Sequence, residues 1–132
     1  MTPIGFKAIS KGLKDNRSLT FFDAGFNSCK LDGATFLGEA LEGNNIIRRI
    51  ELRSCNIGAN GALVLARKLR RCTNLTDFIL ADNKVGRLGA RDVAKNLRLT
   101  SGALIRCFGW RYGRELDVYD EEESELTLDM VE

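Results

Sequence analysis

The residues that could do chemistry are few in this chain of 132 residues, and they are not arranged for it. The sequence has no histidine. That removes the Ser-His-Asp and Cys-His arrangements of nucleophilic catalysis and the usual His-containing zinc sites. Four cysteines occur, Cys29, Cys55, Cys72 and Cys107, and no two are spaced C-x-x-C. Neither the G-x-x-x-x-G-K-S/T loop nor the G-x-G-x-x-G turn that would cradle a phosphate is present. Carboxylates remain. Glu51 and Asp77 could approach each other across neighbouring strands, but Arg49 and Arg53 lie close by in sequence, and a surface salt-bridge pattern accounts for all four. No catalytic residue, cofactor or metal is expected.

A 28-residue period organises the chain instead. Leu19, Ile47 and Leu75 open three segments, "LTFFDAGFNSCKLDGA", "IRRIELRSCNIGANGA" and "LTDFILADNKVGRLGA". Asn27, Cys55 and Asn83 follow eight residues later, and Gly33, Gly61 and Gly89 fourteen residues later, each with an alanine after it. Periods of about 20–50 residues mark stacked repeats. The first half of each unit alternates in the manner of a strand: Phe22 and Ala24, Ile50 and Leu52, and Phe78 and Leu80 point one way. The second half has helical spacing. Leu37, Leu65 and Val93 precede Leu41, Leu69 and Leu97 by four residues, so each pair shares a face. The Gly before each helix is expected to adopt a backbone conformation closed to other residues, or to permit close packing. The Asn or Cys after each strand is expected to bond to the turn of the adjacent unit, where stacking buries backbone polar groups.

The pattern L-x-x-L-x-L-x-x-N/C-x-L followed by a helix resembles the leucine-rich repeat, and the length of 28 with a "GA…L…A…L" helix resembles its ribonuclease-inhibitor-like subclass. The resemblance runs from Gly5 to about Gly109. It implies an α/β fold, a short solenoid with a parallel β-sheet on the concave side and α-helices on the convex side. Regulation of a small GTPase or a nuclease is one function that the family suggests, although this chain is too short to wrap a partner as the long horseshoes of the family do.

The period also sets the expected segments. Residues 1–18 form an N-terminal capping half-repeat, a helix in which Gly5, Ile9, Ser10 and Leu13 take the repeat's helix positions. Residues 19–102 hold three repeats, 19–46, 47–74 and 75–102. Residues 103–114 form a degenerate last strand, "ALIRCFGW", whose frame slips by about one residue, with Trp110 and Tyr112 closing that end. Residues 115–132 form an acidic tail. It is too acidic to fold by itself and reads as a disordered, solubilising tail; alternatively, its Leu126, Leu128 and Met130 alternate like a strand that could join a sheet edge, dock on a partner or fold back over the basic helices. No window is apolar enough to span a membrane, and the N-terminus lacks the apolar core of a signal peptide. A removable basic leader is not expected, because Lys7, Lys11 and Lys14 fit the repeat frame. Each cysteine has a packing role in that frame, so reduced thiols and an intracellular, cytoplasmic location are expected, with a cytoskeletal, ciliary or mitochondrial assembly as variants.

Charge divides the chain. Nine of the 18 acids lie from Glu115 onward, where there is no Lys or Arg, so the first 114 residues carry all 20 basic residues against nine acids and the tail carries −9. Phase places the rest. The concave face should carry Phe21, Asp23, Phe26, Arg49, Glu51, Arg53, Asp77, Ile79 and Asp82, with Phe21 and Ile79 as apolar anchors inside a charged rim. The helix surfaces should carry Arg67, Arg70, Arg71, Arg91, Lys95 and Arg98. Stacked repeats present extended surfaces, so the expected function is protein–protein interaction, as a small scaffold or a subunit of a larger intracellular assembly. The basic helices offer a second reading, docking on an acidic surface such as the RNA of a ribonucleoprotein or the tubulin of a microtubule or ciliary structure. The strands lack the aromatic-and-basic interleaving of single-strand nucleic-acid readers.

Overall fold

A short strand and an amphipathic helix per unit cannot each bury an apolar face alone, and the structure shows how stacking solves this. The computed structural model describes residues 1–97 and the backbones of the strands 104–106 and 125–127. The order is α1 (Pro3–Lys14), β1 (Phe21–Asp23), α2 (Lys30–Leu41), β2 (Arg49–Glu51), α3 (Gly58–Leu69), β3 (Asp77–Ile79), α4 (Gly86–Asn96), β4 (Leu104–Arg106) and β5 (Glu125–Thr127). The strands form one sheet in sequence order, and each helix packs on the next. The fold is that of a short leucine-rich-repeat solenoid.

The register repeats the sequence period. Phe21 pairs with Arg49 and Arg49 with Asp77, all parallel and 28 residues apart. The next step is 27, Asp77 to Leu104, which is the one-residue slip expected at that point. β5 then adds antiparallel to β4, with Arg106 opposite Glu125, so the sheet is not wholly parallel.

The core lies between the layers. Ile50, Leu52, Phe78 and Leu80, in the strands or just after them, meet Leu37, Leu41, Leu65, Leu69 and Val93 of the helices and Leu97 at the end of α4, and all are fully buried. Phe6 of α1 is fully buried too. It covers the first unit at Gly33, where an added Cβ would lie 3.3 Å from the Phe6 side chain. Ile9, assigned to a core position by the repeat frame, is instead 38% exposed.

The glycines before the alanines resolve one alternative. The helices begin three residues earlier than the Gly-Ala pairs, so Gly33, Gly61 and Gly89 sit inside the first turn rather than before it. Their role is close packing. A Cβ on Gly61 would come 2.6 Å from Ile57 Cγ2, and one on Gly89 2.9 Å from Val85 Cγ1. The left-handed position is the residue that opens α3 and α4: Gly58 has φ +75° and Gly86 +77°. At the matching first-unit position Lys30 has φ 57°, which is uncommon for a residue with a side chain.

Candidate protein-interaction surface

The buried frame is built first, because it decides which side chains are left over. Asn83 is fully buried. Its Oδ1 accepts from the backbone N–H of Cys55 (2.8 Å) and Ile57 (3.1 Å), and its Nδ2 donates to the carbonyls of Leu52 (2.7 Å) and Leu80 (3.0 Å). One side chain thus satisfies backbone groups of two successive units, as the repeat predicts. Cys55 does a smaller version of the same job, its Sγ 3.2 Å from the carbonyl of Ala24. Asn27 donates to the carbonyls of Ala24 and Gly25 within its own turn.

The thiols are packing groups. Cys29, Cys55 and Cys72 are each fully buried. Burial pushes the Cys29 thiol up to about 12 and the Cys72 thiol up to about 11, and raises that of Cys55. A thiol held protonated in this way is a poor nucleophile and a poor metal ligand. Cys107 lies outside the described residues. Among the described residues no three Cys, Asp or Glu side chains cluster to hold a metal, and no helix is long and apolar enough to cross a membrane.

What the frame leaves on the strand face is a charged network around one arginine. Arg49 lies 3.5 Å from Asp77 and 3.6 Å from Glu51, and Arg53 is 3.6 Å from Glu51. The Arg49 guanidinium also sits over the Phe21 ring, 5.1 Å from its centre. The β1–β2–β3 register places Phe21, Arg49 and Asp77 in one row across the sheet. Phe21 is 49% exposed. Asp23 is exposed, and its Oδ1 accepts from the N–H of Gly25.

A second row follows the strands. Phe26, Ser54 and Asp82 occupy one repeat position, all with φ between 53° and 61°. Phe26 is 77% exposed, and Asp82 accepts from the Ser54 hydroxyl at 2.7 Å.

Ile79 departs from expectation. It was placed as an exposed anchor, yet it is 2% exposed, as is its neighbour on the same face, Ala81, at 1%. Both are absent from the core between the layers. Exposure on this row falls across the sheet, from Asp23, exposed, through Glu51 at 9% to Ile79. On this row the strand face is therefore open at β1 and covered at β3, while Asp77, in the row of Phe21 and Arg49, stays partly exposed. Alternation fixes which face a side chain takes, but cannot reveal what else lies on that face.

On the helix side, Arg67, Arg70, Arg71, Arg91 and Lys95 are all exposed, while Arg98 lies outside the described residues. Arg87 lies in the first turn of α4. Sequence reasoning missed the apolar residues at the outer end: Ile4 is 80% exposed and Leu88 75%. Their shared repeat position, with Asp32 and Asn60 between them, was the available signal.

No family model matches the chain, and no curated protein matches it. Among solved structures it is similar to leiomodin-1 actin-binding site 2, with a TM-score of 0.72 and 18% identity, over 98% of this chain and 73% of that one. At that identity the likeness concerns the fold alone.

Proposed function

We propose that this chain is a non-enzymatic protein-interaction module, a small scaffold or subunit of an intracellular assembly. Its partner docks on the strand face at β1 and β2. The observation that carries this reading is the half-exposed Phe21 beside Arg49, at the end of the strand face that remains open. A partly exposed aromatic ring and an arginine already held by two carboxylates are preorganised side chains of the types that dominate binding energy. Phe26 extends the apolar surface past the strand end, and β1 is the outer strand of its side of the sheet. Burial of Ile79 moves the surface toward the first unit and removes that residue from it.

The repeat length of 28 and the form of the helix support membership of the ribonuclease-inhibitor-like subclass. Actin is the first defined protein to assay, since the structural neighbour is an actin-binding site. Co-sedimentation with actin filaments, and quantitative capture from cell extract, should be run with the wild-type chain and with a Phe21→Ser/Arg49→Ala variant in parallel. Loss of a specific partner in the variant supports the reading. Partners retained undiminished by the variant refute the assignment to this face.

A further inference from the structure

We propose that the α3–α4 helix face is a second docking site, and that its occupant is a short acidic polypeptide segment. The repeat register sharpens the distribution of charge there. Lys11, Glu39, Arg67 and Lys95 hold one repeat position on four successive helices. Lys14, Glu42 and Arg70 hold another, three residues further on. The positive face is thus broken at α2 by two exposed carboxylates and resumes on α3 and α4.

Six exposed cations lie on those two helices and the residues just after α3: Arg67, Arg70, Arg71, Arg87, Arg91 and Lys95. Arg87, in the first turn of α4, makes a contact of its own and stands apart; none of the other five forms an ion pair among the described residues. Asp92 is the one acid of α3 and α4. Lys68 is set apart from the group. It pairs with Glu42 at 3.6 Å, and its stem covers Gly38.

Cations in and just after the last turn complement the helix dipole, which accounts for Arg67, Lys95 and Arg70, the C-cap of α3, with Arg71 next to it. Arg91 lies before the last turn of α4, so the dipole does not account for it.

The size of the patch selects its partner. Arg91 and Lys95 are four residues apart on α4, about 6 Å, and Arg67 lies in the last turn of α3 with Arg70 and Arg71 just beyond it. Packed helix axes lie about 10 Å apart. A nucleic acid gains affinity from many phosphates along a track. Any track crossing the four helices meets Glu39 and Glu42. Among the described residues the patch has no exposed aromatic ring on which a base could stack. A turn or two of acidic helix, or a short acidic strand, fits four or five cations, with Arg forks suited to carboxylates.

The test uses the full chain and a short fluorescein-labelled oligoglutamate, with fluorescence anisotropy as readout. Two variants change the net charge equally: Arg67→Glu/Lys95→Glu within the patch, and Lys11→Glu/Lys14→Glu across the α2 carboxylates. Affinity should fall roughly tenfold in the first and less than about twofold in the second, since steering by net charge would affect both alike. Binding should also weaken between about 0.1 M and 1 M salt, as the screening length falls from about 10 Å to about 3 Å. Equal loss in the two variants overturns the proposal, as does tighter binding of a labelled oligonucleotide of equal charge. If the glutamate variant melts early, Arg67→Gln/Lys95→Gln set against Lys11→Gln/Lys14→Gln supplies the same comparison at equal charge. The strand-face variant, Phe21→Ser/Arg49→Ala, should bind the oligoglutamate as wild type does, which separates this site from the one proposed above.

Discussion

The Arg49 guanidinium sits 5.1 Å from the centre of the Phe21 ring, across the β1–β2 pair, while the same arginine reaches Asp77 on β3. One side chain thus spans three strands and holds an aromatic ring in place at the open end of the face. A double-mutant cycle between Phe21→Ala and Arg49→Ala, read by urea denaturation, should give a coupling of about 0.5–1 kcal/mol, the range for a solvent-accessible cation–π pair. A coupling indistinguishable from zero would mean the two residues are neighbours only.

Asn83 and Asn27 hold the same repeat position with unequal burial, fully buried against partly exposed. Asn83→Ala would strand the N–H groups of Cys55 and Ile57 and the carbonyl of Leu52 away from water. Each unsatisfied buried group costs about 1–3 kcal/mol, so the loss should be about 3 kcal/mol or more. Asn27→Ala should cost about 1 kcal/mol, because the carbonyls it serves are nearer solvent. Equal costs, measured by urea midpoint, would argue against the inter-unit role.

Gly61 and Gly12 should respond in opposite directions to alanine. At Gly61 the new methyl meets Ile57 Cγ2 at 2.6 Å and Ala34 Cβ at 3.5 Å, while at Gly12 nothing lies within 4 Å. Gly61→Ala should destabilise by about 1–3 kcal/mol through overpacking. Gly12→Ala, within α1, should stabilise by about 0.5–1 kcal/mol through helix propensity and unfolded-state entropy. Thermal melts of both variants give the signs directly.

The buried thiols give the fold a limit on the alkaline side. Cys29 and Cys72 are raised in the folded chain to about 12 and about 11 from an ordinary 9.0. Between those values the folded state keeps protons that the unfolded state has released. Their contribution is therefore fully present below about pH 9 and is lost as pH rises toward 11–12. The urea midpoint should fall above about pH 9, and Cys29→Ala should flatten that fall. A slope unchanged by the substitution would assign it to other groups.

Much of this architecture was legible because a repeat states each packing requirement three times. Leu37, Leu65 and Val93 had to be core, and Asn83 had to serve backbone, since each recurs in phase with equivalents. The short register step to Leu104 was visible for the same reason. Three things were not legible. The helix starts were misplaced because the left-handed residues Lys30, Gly58 and Gly86 look alike only by conformation. Phe6 was missed because the frame puts it at the position of Ala34, Ala62 and Ala90, and a large ring there does not resemble its small, buried equivalents. Ile79 was misread because alternation assigns a face and says nothing of how far that face is covered. The surface residues carry the least signal: a repeat fixes framework and leaves the rest free to vary, and function resides in the rest.

The central claim is that the open end of the strand face, at Phe21 and Arg49, receives a protein partner. The most direct measurement is quantitative capture of partners by the wild-type chain and by Phe21→Ser/Arg49→Ala, at matched levels and after both are shown to melt as cooperative units. The account predicts at least one specific partner whose recovery falls about tenfold or more in the variant, the scale of losing a binding hot spot, and which survives the change Lys11→Glu/Lys14→Glu on the helix side. Recovery of every specific partner at wild-type levels from the folded variant would contradict it.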